Sequence, residues 1–89
     1  MKKTFKITVQ EGLHARPATI LVTTVSTFES EVSITYKKKS ANLKSIMGVM
    51  SLAVSPGSII EIAAEGSDAT ELLDKVTKVI ISQGIGEEC

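Results

Sequence analysis

The hydrophobic period of this chain switches repeatedly between two residues and helical spacing, and that switching restricts the folds open to it. Phe5, Ile7 and Val9 alternate with Thr4, Lys6, Thr8 and Gln10, the pattern of a strand with one buried face. From Pro17 the step changes. Ala18, Leu21, Val22, Val25 and Phe28 recur at helical spacing, which predicts a helix to about Thr27. Val32, Ile34 and Tyr36 then alternate with Ser33, Thr35 and Lys37 as a second strand. Lys37-Lys38-Lys39-Ser40 is a polar break where the chain reverses, and Ala41 and Leu43, alternating with Asn42 and Lys44, predict a short third strand.

Ser45 is a good N-cap for a short helix whose apolar side is Ile46, Val49 and Met50, although Gly48 lowers its intrinsic stability. Pro56-Gly57 is a turn signal, after which Ile60, Ile62 and Ala64 mark the core face of a fourth strand with Glu61 opposite. Gly66-Ser67-Asp68 closes that strand, and Asp68 with Glu71 resembles a capping pair for the last helix. Leu72, Leu73, Val76, Val79 and Ile80 form its core stripe, and Gly84 is its expected stop. No internal repeat or linker interrupts this order.

The predicted order is β-α-β-β-α-β-α. Strands in a doubly covered parallel sheet would be apolar on both sides, whereas these alternate. The expected fold class is therefore an α/β two-layer open-faced sandwich: a four-stranded antiparallel sheet with two main helices and one short helix on one face. Eighty-nine residues allow a single domain over 1–89 and one core.

Composition removes several function classes. Ten basic and ten acidic side chains cancel, so no overall field favours nucleic acid or an anionic membrane. Phe5, Phe28 and Tyr36 are the only aromatic residues, too few for a base-stacking platform. No apolar run approaches the length of a membrane span. Met1-Lys2-Lys3 leads into an alternating strand instead of a signal-peptide core, so a cytoplasmic protein is expected. Cys89 has no second cysteine to pair with and no soft ligand near it in sequence, which predicts neither a disulfide nor a metal site. A stand-alone enzyme is unsupported, because there is no carboxylate pair, metal cluster or glycine-rich nucleotide loop; no cofactor is expected.

The chemistry concentrates in Gly12-Leu13-His14-Ala15-Arg16-Pro17-Ala18, which holds the only histidine. Proline is pre-organised for the first helical position, so His14 is expected just ahead of free backbone N–H groups that favour an anion. Arg16 adds a permanent charge with a forked donor geometry suited to phosphate. A solitary histidine is often only a surface residue. A nucleophile, a helix N-terminus and a guanidinium within three residues instead suggest a phosphoryl-handling site.

This segment resembles the active-site motif of the HPr family, the histidine-containing phosphocarriers of the bacterial phosphoenolpyruvate-dependent sugar phosphotransferase system. Asn42-Leu43-Lys44-Ser45-Ile46-Met47-Gly48-Val49-Met50-Ser51-Leu52 is similar to the regulatory-serine segment of its Gram-positive members. The resemblance extends over essentially the whole chain in the order of its elements. It implies that Enzyme I, phosphorylated by phosphoenolpyruvate, passes its phosphoryl group to Nδ1 of His14, giving a pros-phosphohistidine. That group would go on to the IIA domain of a sugar permease, with Arg16 and the helix-start amides stabilising its charge. It implies a second, regulatory site at Ser45, modified by an ATP-dependent HPr kinase/phosphorylase. The modified form would act as corepressor with a catabolite-control transcription regulator. On local chemistry alone, Ser45 is a routine cap.

In the family the short helix supplies a hydrophobic docking patch, which implies partner contacts for Ile46, Met47 and Met50. Ile46 and Met50 share one side of that helix while Met47 points elsewhere, so Met47 is expected to be exposed. The turn often built from Asn-Gly before the third strand is Lys38-Lys39 here, and Ala53 stands where glycine is common. A regulatory paralogue acting only through Ser45 is the nearest alternative; such proteins lack the active-site histidine, which is present here. A small nucleic-acid-binding domain using Lys37, Lys38 and Lys39 is opposed by the neutral charge. A small neutral carrier is also expected to be a monomer.

Overall fold

A computed structural model describes all 89 residues. Its elements are β1 (Lys2–Ile7), α1 (Ala15–Val25), β2 (Glu31–Tyr36), β3 (Lys39–Asn42), α2 (Ile46–Ser51), β4 (Ile59–Glu65), α3 (Ala69–Ser82) and β5 (Gly86–Glu88). The strands form one antiparallel sheet in the order β3-β2-β4-β1-β5. Phe5 and Ile7 of β1, Val32, Ile34 and Tyr36 of β2, and Ile60, Ile62 and Ala64 of β4 are buried on one face. Against them lie Ala18, Leu21 and Val25 of α1 and Leu72, Leu73, Val76 and Ile80 of α3. Each large side chain buried here contributes about 1.5–3 kcal/mol of transfer free energy, so this interface dominates the cohesion of the fold. The other face of the sheet is open.

The sheet has five strands, not the expected four. Gly84, at φ +68°, ends α3 and turns the chain back. Ile85 is fully buried, and its carbonyl accepts from Thr8 N at 2.9 Å and Val9 N at 3.1 Å. Those two bonds end β1 at Ile7, short of the Thr8 and Val9 that the alternation includes. Phe5 then faces Glu88, and Ile7 faces Gly86. A Cβ on Gly86 would run into the Lys6 carbonyl, so the close approach of this edge strand requires glycine. Cys89 is exposed, yet its backbone extends the pairing: its N–H donates to Thr4 O at 3.1 Å and its carbonyl accepts from Thr4 Oγ1 at 2.9 Å.

Three local expectations also shift. The β2–β3 turn is Lys37-Lys38, at φ 49° and 69°, and Lys39 already belongs to β3. Two successive left-handed residues make the mirror-image turn that suits hairpin twist, held here by lysines where asparagine and glycine are preferred. The third strand stops at Asn42, leaving Leu43 buried in the turn that follows. Asp68 stands at the N-cap of α3, but its carboxylate caps nothing there; it reaches across to the segment before β2.

Candidate functional site

Helix α1 begins at Ala15, two residues earlier than Pro17, and His14 itself is the N-cap. Its backbone is extended, at φ −92° and ψ −163°, and its carbonyl accepts the first helical bond, from Ala18 N at 2.9 Å. Pro17 therefore occupies the third helical position. Its missing N–H is still among the first four that a helix cannot satisfy internally, so the early start costs no hydrogen bond. The amides of Ala15 and Arg16 donate to no protein acceptor, and the imidazole makes no capping bond. His14 is exposed, while Leu13 before it and Pro17 after it are buried and anchor the segment.

The turn ahead of His14 is fixed from behind. Gly12 has φ +67°, and a Cβ there would strike the Val54 carbonyl. That same carbonyl accepts from Leu13 N at 3.1 Å, while Gly12 N donates to Val9 O at 3.0 Å. Only glycine meets both demands, the left-handed backbone and the close approach. Val54 lies just after α2, in a segment where Ala53 takes φ +53° and fills the place of the more usual glycine. Farther along, the Tyr36 hydroxyl lies 3.5 Å from Ser55 Oγ and 3.2 Å from Ser58 Oγ. Those contacts, Ser55 foremost, together with the Lys37 ammonium, lower the phenol to about 8.

Arg16 is exposed and pairs with Glu11, Nη2 to Oε2 at 3.8 Å. Nothing in the local sequence pattern distinguishes Glu11 as a partner of Arg16. No spacing rule signals a pair that forms across a turn instead of along a helix; the opposite charge five residues away was the only hint.

Ser45 caps α2, its Oγ accepting from Gly48 N at 3.0 Å. Met47 is 78% exposed and Ile46 39%, whereas Met50 is half-buried against the core and Val49 fully buried. The His14 turn meets the segment leaving α2, and Ser45 sits at the helix's other end. Six helical residues span about 9 Å, so the two ends are separated by roughly that rise. Packing of α1 against α2 places the exposed Ile46 and Met47 on the same helical layer as His14. No group of three or more His, Cys, Asp or Glu side chains is placed to hold a metal ion, and no helix is long and apolar enough to cross a membrane.

Fold and site together define a small open-faced α/β domain with an exposed, uncapped histidine at a helix start. The family model for PTS-HPr, described as the PTS HPr component phosphorylation site, matches residues 1–82. The chain is similar to the histidine-containing phosphocarrier protein of Mycoplasma, at 38% identity and a TM-score of 0.93, covering 97% of this chain and 98% of that one. It is similar to HPr from Thermoanaerobacter tengcongensis, solved as a dimer, at 42% identity and a TM-score of 0.75, covering 88% and 90%. It is also similar to Crh, a catabolite-repression protein of Bacillus subtilis solved as a domain-swapped dimer. That match has 38% identity and a TM-score of 0.72, covering 90% and 91%. The chain belongs to the HPr family of phosphotransferase-system phosphocarriers. The expected monomer finds no support in the last two relatives, both of which are dimers.

Proposed function

We propose that this chain accepts a phosphoryl group from phospho-Enzyme I on Nδ1 of His14 and donates it to the IIA domains of sugar permeases. The observation that supports this reading best is the exposed, uncapped imidazole beside two amides without protein acceptors. In the transfer, the Nδ1 lone pair forms a bond to phosphorus as the bond from phosphorus to the donor breaks. Nε2 carries the ring proton throughout. The incoming group brings about two negative charges, which the Ala15 and Arg16 amides, the helix dipole and the Arg16 guanidinium can meet. All of these groups lie at the surface, so compensation is moderate and the group can leave again.

Ser45 is the regulatory site in this reading, phosphorylated by an HPr kinase/phosphorylase. The phosphorylated form would serve as corepressor with a catabolite-control transcription regulator. A phosphate at a helix N-cap is compatible with the helix, and its charge would stand beside the partner surface of Ile46, Met47 and Met50. Similarity to Crh favours a purely regulatory role as the second reading. The presence of His14 in an accessible setting favours the carrier. The relay would operate in the cytoplasm.

The test is intact mass after incubation with Enzyme I, magnesium and phosphoenolpyruvate, for wild type and His14→Ala. One acid-labile phosphate on wild type and none on the variant is the expected result. An unlabelled wild type, with an Enzyme I active on a control carrier, would leave the Ser45-only role.

A further inference from the structure

Glu11 is the only acidic residue between Thr8 and Phe28, and its carboxylate is the one placed against Arg16, the only arginine in the chain. The Glu11 backbone cannot easily retreat, because the bonds from Gly12 N to Val9 O and from Leu13 N to Val54 O flank it. Before phosphorylation the pair is neutral overall. A phosphoryl group on His14 would add about two negative charges three residues from Glu11. The Glu11 carboxylate, 3.8 Å from Arg16 Nη2, offsets part of the guanidinium charge, so carboxylate and phosphoryl group would draw the same side chain from two sides.

We propose that Glu11 is a positioning residue for the phosphoryl relay: its carboxylate holds Arg16 in the unphosphorylated protein and competes with the phosphoryl group for it afterwards. The consequence, which rests on the carrier reading above, is a phosphohistidine of higher transfer potential. Wild type gives up part of the stabilisation Arg16 could offer, which favours onward transfer. The ion pair is exposed, with side-chain accessibilities of 61% for Arg16 and 43% for Glu11. The expected effect is therefore small, about two- to fivefold in the equilibrium between carriers, and reduced by salt.

A competition reads this directly. Isotope-labelled wild type and unlabelled Glu11→Gln are mixed in equal amounts with catalytic Enzyme I and a limiting quantity of phosphoenolpyruvate. Intact mass then gives the partition of phosphate between them. Partition about two- to fivefold towards Glu11→Gln, shrinking at high salt and restored to near parity by Glu11→Asp, is the expected result. The same comparison in an Arg16→Gln background should show little preference. Equal partition between wild type and Glu11→Gln, with both labelled at His14, would overturn the role of Glu11 and leave the carrier reading intact. So would a preference undiminished without Arg16, since the competition would then not run through the guanidinium. Absence of any His14 phosphate on wild type would remove the carrier reading itself, and this inference with it.

Discussion

The carboxylate of Asp68 accepts from the backbone N–H of Ser30 at 2.9 Å and from the same residue's hydroxyl, tying the start of α3 to the entry of β2. A third bond, from Glu29 N at 2.9 Å, completes the clasp. The Ser30 hydroxyl foremost, then the Glu29 amide, hold this carboxyl below the usual range for aspartate. A carboxylate whose folded-state value is depressed stabilises the fold fully above its unfolded value and loses that contribution as pH falls through the folded one.

Asp68→Asn should therefore be less stable than wild type at neutral pH, and the difference should close on acidification through roughly pH 4 and below. Ser30→Ala should show a smaller loss with the same direction of pH dependence. Urea titrations at a series of acidic pH values measure both. Parallel curves for wild type and Asp68→Asn would show that the clasp carries no linked proton.

Gly86 sets the last strand against β1. Its close approach to the Lys6 carbonyl leaves no room for a Cβ, so Gly86→Val should displace β5 and destabilise by about 1–3 kcal/mol. Hydrogen exchange locates the effect. The Thr8 and Val9 amides, which donate to Ile85 O, should exchange faster, whereas the β1–β4 ladder, including Phe5 opposite Ile60, should stay protected. Uniform loss of protection across the sheet would instead mean that β5 is integral to the whole core.

The contrast between Ile62 and Glu87 shows how far periodicity reaches. Ile62 lies in a strand with three apolar residues on one face and its partners on two neighbours, so alternation alone reported its place. Glu87 lies in a three-residue edge strand without an apolar side chain, held by backbone bonds and one buried residue beside it, Ile85. Edge pairing of that kind leaves no periodic trace. The site divides in the same way. His14, Arg16 and the Ser45 cap are local features, and local sequence marked them. Glu11 on Arg16, Val54 behind Gly12 and Asp68 on Ser30 are contacts made across turns, fixed by tertiary approach and not by spacing. Even the helix start moved by two residues, because proline tolerates any of the first helical positions and does not single one out.

Ser45 has a structural duty separable from its proposed regulatory one. Its Oγ accepts from Gly48 N at 3.0 Å, so Ser45→Ala should cost about 1 kcal/mol. Ser45→Asp keeps an acceptor at the cap and adds a charge favourable to the helix start, so it should be no less stable than Ser45→Ala. Under the regulatory reading the two part in the relay assay. Ser45→Asp should slow phosphorylation by Enzyme I, and Ser45→Ala should not. Equal slowing of both would trace the effect to loss of the serine hydroxyl and not to charge.

Met47 offers the sharpest separation of folding from recognition. At 78% exposed it contributes little to the core, so Met47→Ala should alter stability by less than about 0.5 kcal/mol. Its neighbour Val49 is fully buried two residues on, and truncating it must open a cavity beneath α2. If Ile46 and Met47 form the apolar contact for partners, Met47→Ala should weaken the interaction with Enzyme I and raise the carrier concentration needed for half-maximal phosphorylation. The maximal rate should change less, because the imidazole and its amides are untouched. Titrating carrier against a fixed amount of Enzyme I distinguishes the two parameters. A fall confined to the maximal rate would place Met47 in the transfer step and not in docking, and an unchanged titration would remove it from the partner surface altogether.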